Sequence, residues 1–354
     1  MEWFDFEGLL PSQMRRPRFL ISAGAMTSLA ITSQWANKTL AQPKFSNYPF
    51  SLGVASGDPL PDGVVLWTRL APDPLNGGGM LQENVPVQWQ IAADEKMRQV
   101  VFSGTAIATR EFAHSIHVEV QGLEPARWYW YQFRVGNEVS PIGRTKTAPA
   151  PNAHLNQLNF AFVTCQKWED GFYSAYRRLA EEDLDLVLHL GDYIYEYGIN
   201  STGGVRNISL PEQFREETKT LEQYRLRYAL YKTDPDLQKA HALFPFVVTW
   251  DDHEVDNDYT DSISENNDPI EDFIERRAAA YQAYYEQLPL RRSSLPRGAN
   301  MHLYRRLDFG DLASFNVLDT RQYRSNQPCG DGETPRCEAA LDPAQTMTGN
   351  RQES

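Results

Sequence analysis

Three apolar runs in the sequence each end in residues able to bind a metal. Residues 158–164 lead into Cys165-Gln166, residues 185–190 into Gly191-Asp192-Tyr193-Ile194-Tyr195, and residues 246–250 into Asp251-Asp252-His253-Glu254. A thiol, a carboxylate with a phenol three residues on, and a double carboxylate with an imidazole form a ligand cluster if their strands share one rim. The chemistry they fit is a two-metal hydrolytic centre. A carboxylate such as Asp192 can bridge two ions, which polarise a phosphoryl group and generate hydroxide near neutral pH. His253 can donate a proton to the leaving group or stabilise the developing charge. Thiolate and phenolate are strong anionic donors, and together they suit Fe³⁺ better than Mg²⁺, which prefers carboxylate and water oxygen.

Positioning these groups requires a sheet. After a Pro-containing linker at 147–156, apolar runs at 158–164, 185–190, 246–250 and 312–318 read as strands, the first three as buried ones. Helical spacing of Phe172, Tyr176 and Leu179 predicts a helix over 172–182, and a longer one is predicted over 271–287. Alternating strands and helices argue an α/β layered domain, whose chemistry gathers at the carboxyl ends of its strands. Before the linker the pattern differs. Residues 64–70, Val85–Ala92, 100–107, 116–120, Trp128–Val135 and 139–144 read as short strands bounded by turn residues. About seven strands in about 100 residues suggest a β-sandwich. Leu123-Glu124-Pro125-Ala126-Arg127-Trp128-Tyr129 resembles the tyrosine corner of fibronectin type III domains, giving an all-β fibronectin/immunoglobulin-like sandwich.

Composition excludes other classes. Of 354 residues 34 are basic and 47 acidic, a net charge of -13, so the chain repels a phosphate backbone and is no dedicated nucleic-acid binder. A mean hydropathy of -0.53 excludes a multi-span membrane protein, and no stretch reads as a stable membrane span. Residues 251–275 hold 11 acidic residues and no Lys or Arg, which reads as a solvated face. Residues 15–41 read as an export signal: Arg15-Arg16 and Arg18, a mild apolar run from Phe19 to Ile31, then Thr39-Leu40-Ala41 as a cleavage site. The paired arginines resemble a twin-arginine signal, with Pro17-Arg18 set before Phe19. Of three cysteines, Cys329 and Cys337 are expected to close a short disulfide, which leaves Cys165 over. The histidines other than His253 show no ligand spacing and read as structural or surface groups.

Gly191-Asp192-x-x-Tyr195 followed by Asp251-Asp252-His253-Glu254 resembles the calcineurin-like metallophosphoesterase pattern in its alkaline phosphatase D (PhoD) form. Similar to that family too are Phe50-Ser51-Leu52-Gly53-Val54-Ala55-Ser56-Gly57-Asp58-Pro59, Val65-Leu66-Trp67-Thr68-Arg69-Leu70, His189-Leu190-Gly191-Asp192-Tyr193-Ile194-Tyr195-Glu196-Tyr197 and Leu318-Asp319-Thr320-Arg321-Gln322-Tyr323-Arg324. The resemblance implies an export signal at 1–41, a β-sandwich at 42–148 and a metallophosphoesterase domain at 149–354. It implies a periplasmic or secreted enzyme, exported by the twin-arginine machinery, that hydrolyses small phosphate esters at an Fe³⁺ and Ca²⁺ centre. Carried over by position, Cys165 and Tyr195 would be iron ligands, Asp192 the bridging carboxylate and Asp252 a ligand on the calcium side, with Asp251 and Asn257 nearby. His253 would be the acid or transition-state stabiliser. Arg321 could bind a phosphate oxygen or sit in an ion pair. Family members bring a later Gly-Asp-x-His motif, whereas this sequence closes Thr348-Gly349-Asn350-Arg351-Gln352-Glu353-Ser354. It therefore reads as truncated, with about half the metal shell encoded, and hydrolysis near background is expected. The competing classes are an inert homologue and an exported β-sandwich binding module, and iron–thiolate or iron–phenolate colour would exclude the second.

Overall fold

The computed structural model describes residues 44–329, 337–350 and 352, so the predicted export signal lies outside the described residues. Branched and aromatic stretches form the strands because they pack well on a pleated, half-buried surface. The N-terminal strands are β1 (Val54–Leu60), β2 (Gly63–Arg69), β3 (Val85–Ala92), β4 (Val100–Ala108), β5 (Ser115–Gln121), β6 (Trp128–Val135), β7 (Glu138–Val139) and β8 (Gly143–Lys146). Then come β9 (Phe160–Val163), α1 (Ser174–Leu179), β10 (Leu186–His189), α2 (Leu221–Lys232), α3 (Pro235–Leu243), β11 (Pro245–Val248), α4 (Ile270–Gln287), β12 (Arg305–Phe309) and β13 (Ala313–Val317). Among the described residues no helix is long and apolar enough to cross a membrane.

In β6 the alternation is clean: Tyr129, Tyr131, Phe133 and Val135 are buried and the residues between them only partly so. The tyrosine corner forms as its motif predicts, with the Glu124 amide donating to the Tyr129 hydroxyl at 2.9 Å. The single strand expected over 139–144 is two, β7 and β8, split at Pro141, which has no N–H to give a ladder. β1, β12, α2 and α3 are further elements that the apolar pattern did not mark. Both helices carry start signals: Thr220 and Gln223 form a capping box at α2, and Asp234 caps α3 ahead of Pro235.

Two large sheets result. One has strand order β4-β3-β6-β7, with β8 also paired to β6. The other runs β5-β2-β1-β11-β10-β9 and so draws strands from both sides of the 147–156 linker. The junction is the parallel pair of β1 with β11, which aligns Ser56 with Pro245 and Gly57 with Phe246. Only glycine fits at position 57, because a Cβ there would meet the Pro289 and Phe246 carbonyl oxygens at 2.5 and 2.6 Å. Between the two sheets lies a core that includes Val54, Leu66, Ile91, Tyr129, Tyr131 and Phe133. β9, β10 and β11 are adjacent and parallel, in register at Val163, His189 and Val248, so their carboxyl ends form one rim. Contrary to the sequence expectation, β9 is not a buried strand. It is the sheet edge, and Phe160 and Phe162 are exposed there.

A buried cation closes α2. The Lys232 ammonium lies 4.2 Å from the Trp67 ring centroid and 5.4 Å from that of Tyr193, beside His189 and His241. Burial pushes its pKa down to about 7. A lysine whose folded pKa is depressed leaves the unfolded chain binding more protons, so stability rises with pH above about 7 and the full penalty stands below it. Lys232→Met is therefore expected to stabilise the protein at pH 7 by about 2 kcal/mol. Its advantage should shrink as the pH climbs to about 9.5. Urea midpoints of both proteins at the two pH values check this, and a variant less stable at neutral pH contradicts it.

Candidate metal centre

Two of the three loops that leave the rim, those of Cys165 and Asp192, are stitched together by main-chain bonds. The Cys165 amide donates to the Gly191 carbonyl (3.2 Å) and the Gln166 amide to the Asp192 carbonyl (3.1 Å). The Gln166 side-chain amide adds a bond to the Tyr193 carbonyl at 2.8 Å. Cys165 and Asp192 both take left-handed backbone conformations, with φ of 56° and 54°. Non-glycine residues hold that conformation at a cost of about 1–3 kcal/mol, and it recurs at functional sites. Gly191 has φ of 111°, and a Cβ on it would meet the Asp251 nitrogen at 2.4 Å, so the Asp192 and Asp251 loops touch.

Asp192 is the hub of the resulting cluster. Its Oδ2 accepts from the Cys165 thiol at 3.3 Å and from the Tyr195 hydroxyl at 3.0 Å. Its Oδ1 is buried and has no hydrogen-bond donor. Asp192, Asp252 and His253 each present one ligand atom, and the three atoms lie within 4.8 Å of one another. Asp192 and Asp252 are buried, Tyr195 and His253 half-buried, and the Cys165 thiol exposed. All five residues singled out by sequence thus converge at the rim. Burial and the nearby Asp252 carboxylate raise the Asp192 pKa. Burial, then the carboxylate of Asp192, pushes the Tyr195 phenol well up, and burial likewise raises the Cys165 thiol. Potential anionic donors thus crowd one another here, which favours their protonated forms, and a bound cation would reverse that preference. An orphaned buried carboxylate oxygen beside a thiol, a phenol and a second carboxylate fits a hard or borderline trivalent ion.

His253 is held from behind. Its Nδ1 lies 2.8 Å from Glu196 Oε2, and Glu196 Oε1 accepts from the Asn257 amide at 2.8 Å. Its ring packs on that of Tyr195, with centroids 4.1 Å apart. Burial lowers the imidazole pKa, but the hydrogen bond and charge of Glu196, with Asp252 and Asp192, push it up to about 9. Glu196 lies in the family-like stretch that ends at Tyr197, but sequence reasoning gave it no role.

Arg321 sits in an ion pair. Its Nε donates to Asp251 Oδ1 at 2.6 Å, and its Nη2 lies 3.5 Å from Asp252 Oδ1. Asp319 positions it, accepting from the Arg321 amide (3.0 Å) and the Trp250 indole (3.0 Å), while Trp250 stacks on Tyr281 of α4. Asn257, in contrast, directs its side-chain amide to Glu265 at 2.7 Å. The acidic run at 251–275 is not a uniformly solvated face, because Asp252, Glu254 and Asp256 are buried. Their charges are met inside: Asp256 pairs with Arg276 at 2.8 Å, and Glu254 accepts main-chain amides. Cys329 and Cys337 form the expected disulfide.

Residues 160–354 match the family described as PhoD-like phosphatase, and residues 34–149 match its N-terminal domain. Alkaline phosphatase D of Bacillus subtilis (strain 168) is 53% identical over 347 residues, which take in 96% of this chain and 59% of the relative. A solved structure described as the structure of PhoD is similar with a TM-score of 0.84 at 56% identity, over 88% of this chain and 59% of that one. The chain thus spans 59% of the length of each relative.

Proposed function

Since the chain belongs to the PhoD-like phosphatase family, we propose that it serves the metal-dependent hydrolysis of small phosphate esters. The observation that carries this reading is Asp192, a buried carboxylate that takes a thiol and a phenol on one oxygen, leaves the other without a hydrogen-bond donor and lies in one cluster with Asp252 and His253. Cys165 and Tyr195 would hold Fe³⁺, Asp192 would serve both ions, and Asp252 would hold Ca²⁺. When bound, the ions would supply hydroxide near neutral pH and charge stabilisation at the phosphoryl group. The protein's own part is placement and proton transfer. Glu196 engages His253 Nδ1, which leaves Nε2 to hand a proton to the leaving oxygen. Glu196, by its hydrogen bond and charge, raises the imidazole pKa and so favours the protonated form that this role needs.

The wider setting belongs to the same proposal. A sandwich at 42–148 precedes the metallophosphoesterase domain at 149–354, and the protein works in the periplasm or as a secreted protein in phosphate scavenging. Arg15-Arg16 before a mild apolar run supports export by the twin-arginine machinery, and the Cys329–Cys337 disulfide suits an oxidising compartment. A second reading, an inert homologue, is favoured by Arg321. Its guanidinium already neutralises Asp251 and Asp252, where the second cation would have to compete.

The experiment is to load the 354-residue chain with Fe³⁺ and Ca²⁺ and assay p-nitrophenyl phosphate and its bis-ester with and without chelator. Chelator-sensitive turnover is the result this reading requires, in place of the near-background hydrolysis expected from the sequence alone. A coloured iron protein with background turnover selects the inert reading, and a colourless protein that takes up no iron overturns both.

A further inference from the structure

Glu254 is buried, and both of its carboxylate oxygens accept from main-chain amides. Its Oε1 accepts from the Tyr193 amide at 2.6 Å and its Oε2 from the Asp251 amide at 2.9 Å. Tyr193 directly follows Asp192, and Asp251 directly precedes Asp252. Main-chain pairing between the two strands stops at the bond from the Thr249 amide to the His189 carbonyl (2.9 Å). Beyond it, no backbone hydrogen bond joins the two loops among the described residues. We infer that Glu254 is a positioning residue: its two oxygens clamp the loop of Asp192 to the loop of Asp252 and so fix the spacing of the carboxylates that would hold the metals. This rests on the reading of Cys165, Asp192, Tyr195 and Asp252 as ligands.

The chemistry requires an acid at this position. A carboxylate can accept on both oxygens, whereas an amide has one acceptor and would turn its NH₂ toward a main-chain donor. A purely structural filler would not need an ionisable group in so dry a place, where burial is costly. Gly191 explains why the reach is short enough for one side chain. Without a Cβ it lets the loops approach to the point where a methyl group would lie 2.4 Å from the Asp251 nitrogen.

Glu254→Gln tests the clamp. Outer groups that orient metal ligands change affinity by about ten- to a hundredfold. The variant is therefore expected to bind Fe³⁺ about ten- to a hundredfold more weakly in a chelator competition, with its phenolate-to-iron absorption band shifted from that of wild type. A folded variant with unchanged iron affinity and band overturns the inference. Amide hydrogen exchange in the metal-free protein gives a second measurement, which needs no metal. Tyr193 and Asp251 amides should be protected to a similar degree in wild type and lose protection together in the variant. If the variant fails to fold, wild type alone decides: exchange of both amides at the rate of an exposed loop overturns the clamp, and shared protection supports it. Absence of iron uptake by wild type would sink the ligand reading instead, and the exchange data would still report on Glu254 separately.

Discussion

Cys165→Ser protein, purified folded and exposed to Fe³⁺, will retain no more than about a tenth of the wild-type iron and will lose its visible colour. Serine is nearly isosteric but keeps its proton and offers a poor neutral donor where the thiolate would be a strong anionic one. Little else should change, because the Cys165 thiol is exposed and its main-chain amide bond to Gly191 does not involve the side chain. Elemental analysis beside a circular dichroism spectrum is the measurement. Wild-type iron in a folded Cys165→Ser protein would remove the thiol from the ligand set and leave Asp192, Tyr195 and Asp252 to account for the site alone.

The second large effect is expected at the imidazole. In metal-loaded protein, His253→Ala should lower turnover of p-nitrophenyl phosphate by about a hundredfold or more while iron content stays near that of wild type. Glu196→Gln should fall in between, since it keeps a hydrogen-bond acceptor for Nδ1 but removes the charge that raises the imidazole pKa. Loss of metal in step with activity would make His253 a ligand, which its place within 4.8 Å of Asp192 and Asp252 also allows. Equal activity in all three proteins would take His253 out of the chemistry.

The convergence of Cys165, Asp192 and Asp252 was legible because a parallel sheet forces its buried strands to be apolar and leaves polar residues at their ends. β10 and β11 obey that logic. β9 has the same apolar text, Phe160 to Val163, but periodicity cannot tell an edge from a centre, and here the alternate phenylalanines face solvent. β1 escaped notice because Ser56-Gly57-Asp58-Pro59 gives it no apolar run, whereas the glycine serves close packing against Phe246 and Pro289. The roles of Glu254 and Glu196, though both stand in family-like motifs, were illegible for another reason. Their partners Tyr193 and His253 lie 61 and 57 residues away, and nothing local marks a carboxylate that satisfies distant amides or an imidazole. The acidic run misled in the same way: Asp256 reads as surface charge until Arg276, on α4, is brought against it.

The parallel pairing of β1 with β11 bears on how such a chain can evolve. A sandwich tethered only by a linker can be lost, duplicated or swapped between genes as a unit. Here β1, β2 and β5 extend the same sheet whose far strands carry Cys165, Asp192 and Asp252. Deleting the sandwich would strip β11 of its neighbour on one side and expose the backbone groups that bond β1 at Ser56 and Gly57. Recombination at the linker would have to bring in a strand that fits Phe246 with a glycine in the same place. Inheritance of the two halves as one piece is thus enforced by hydrogen bonding, and sequence drift on either side of the linker is answerable to the other.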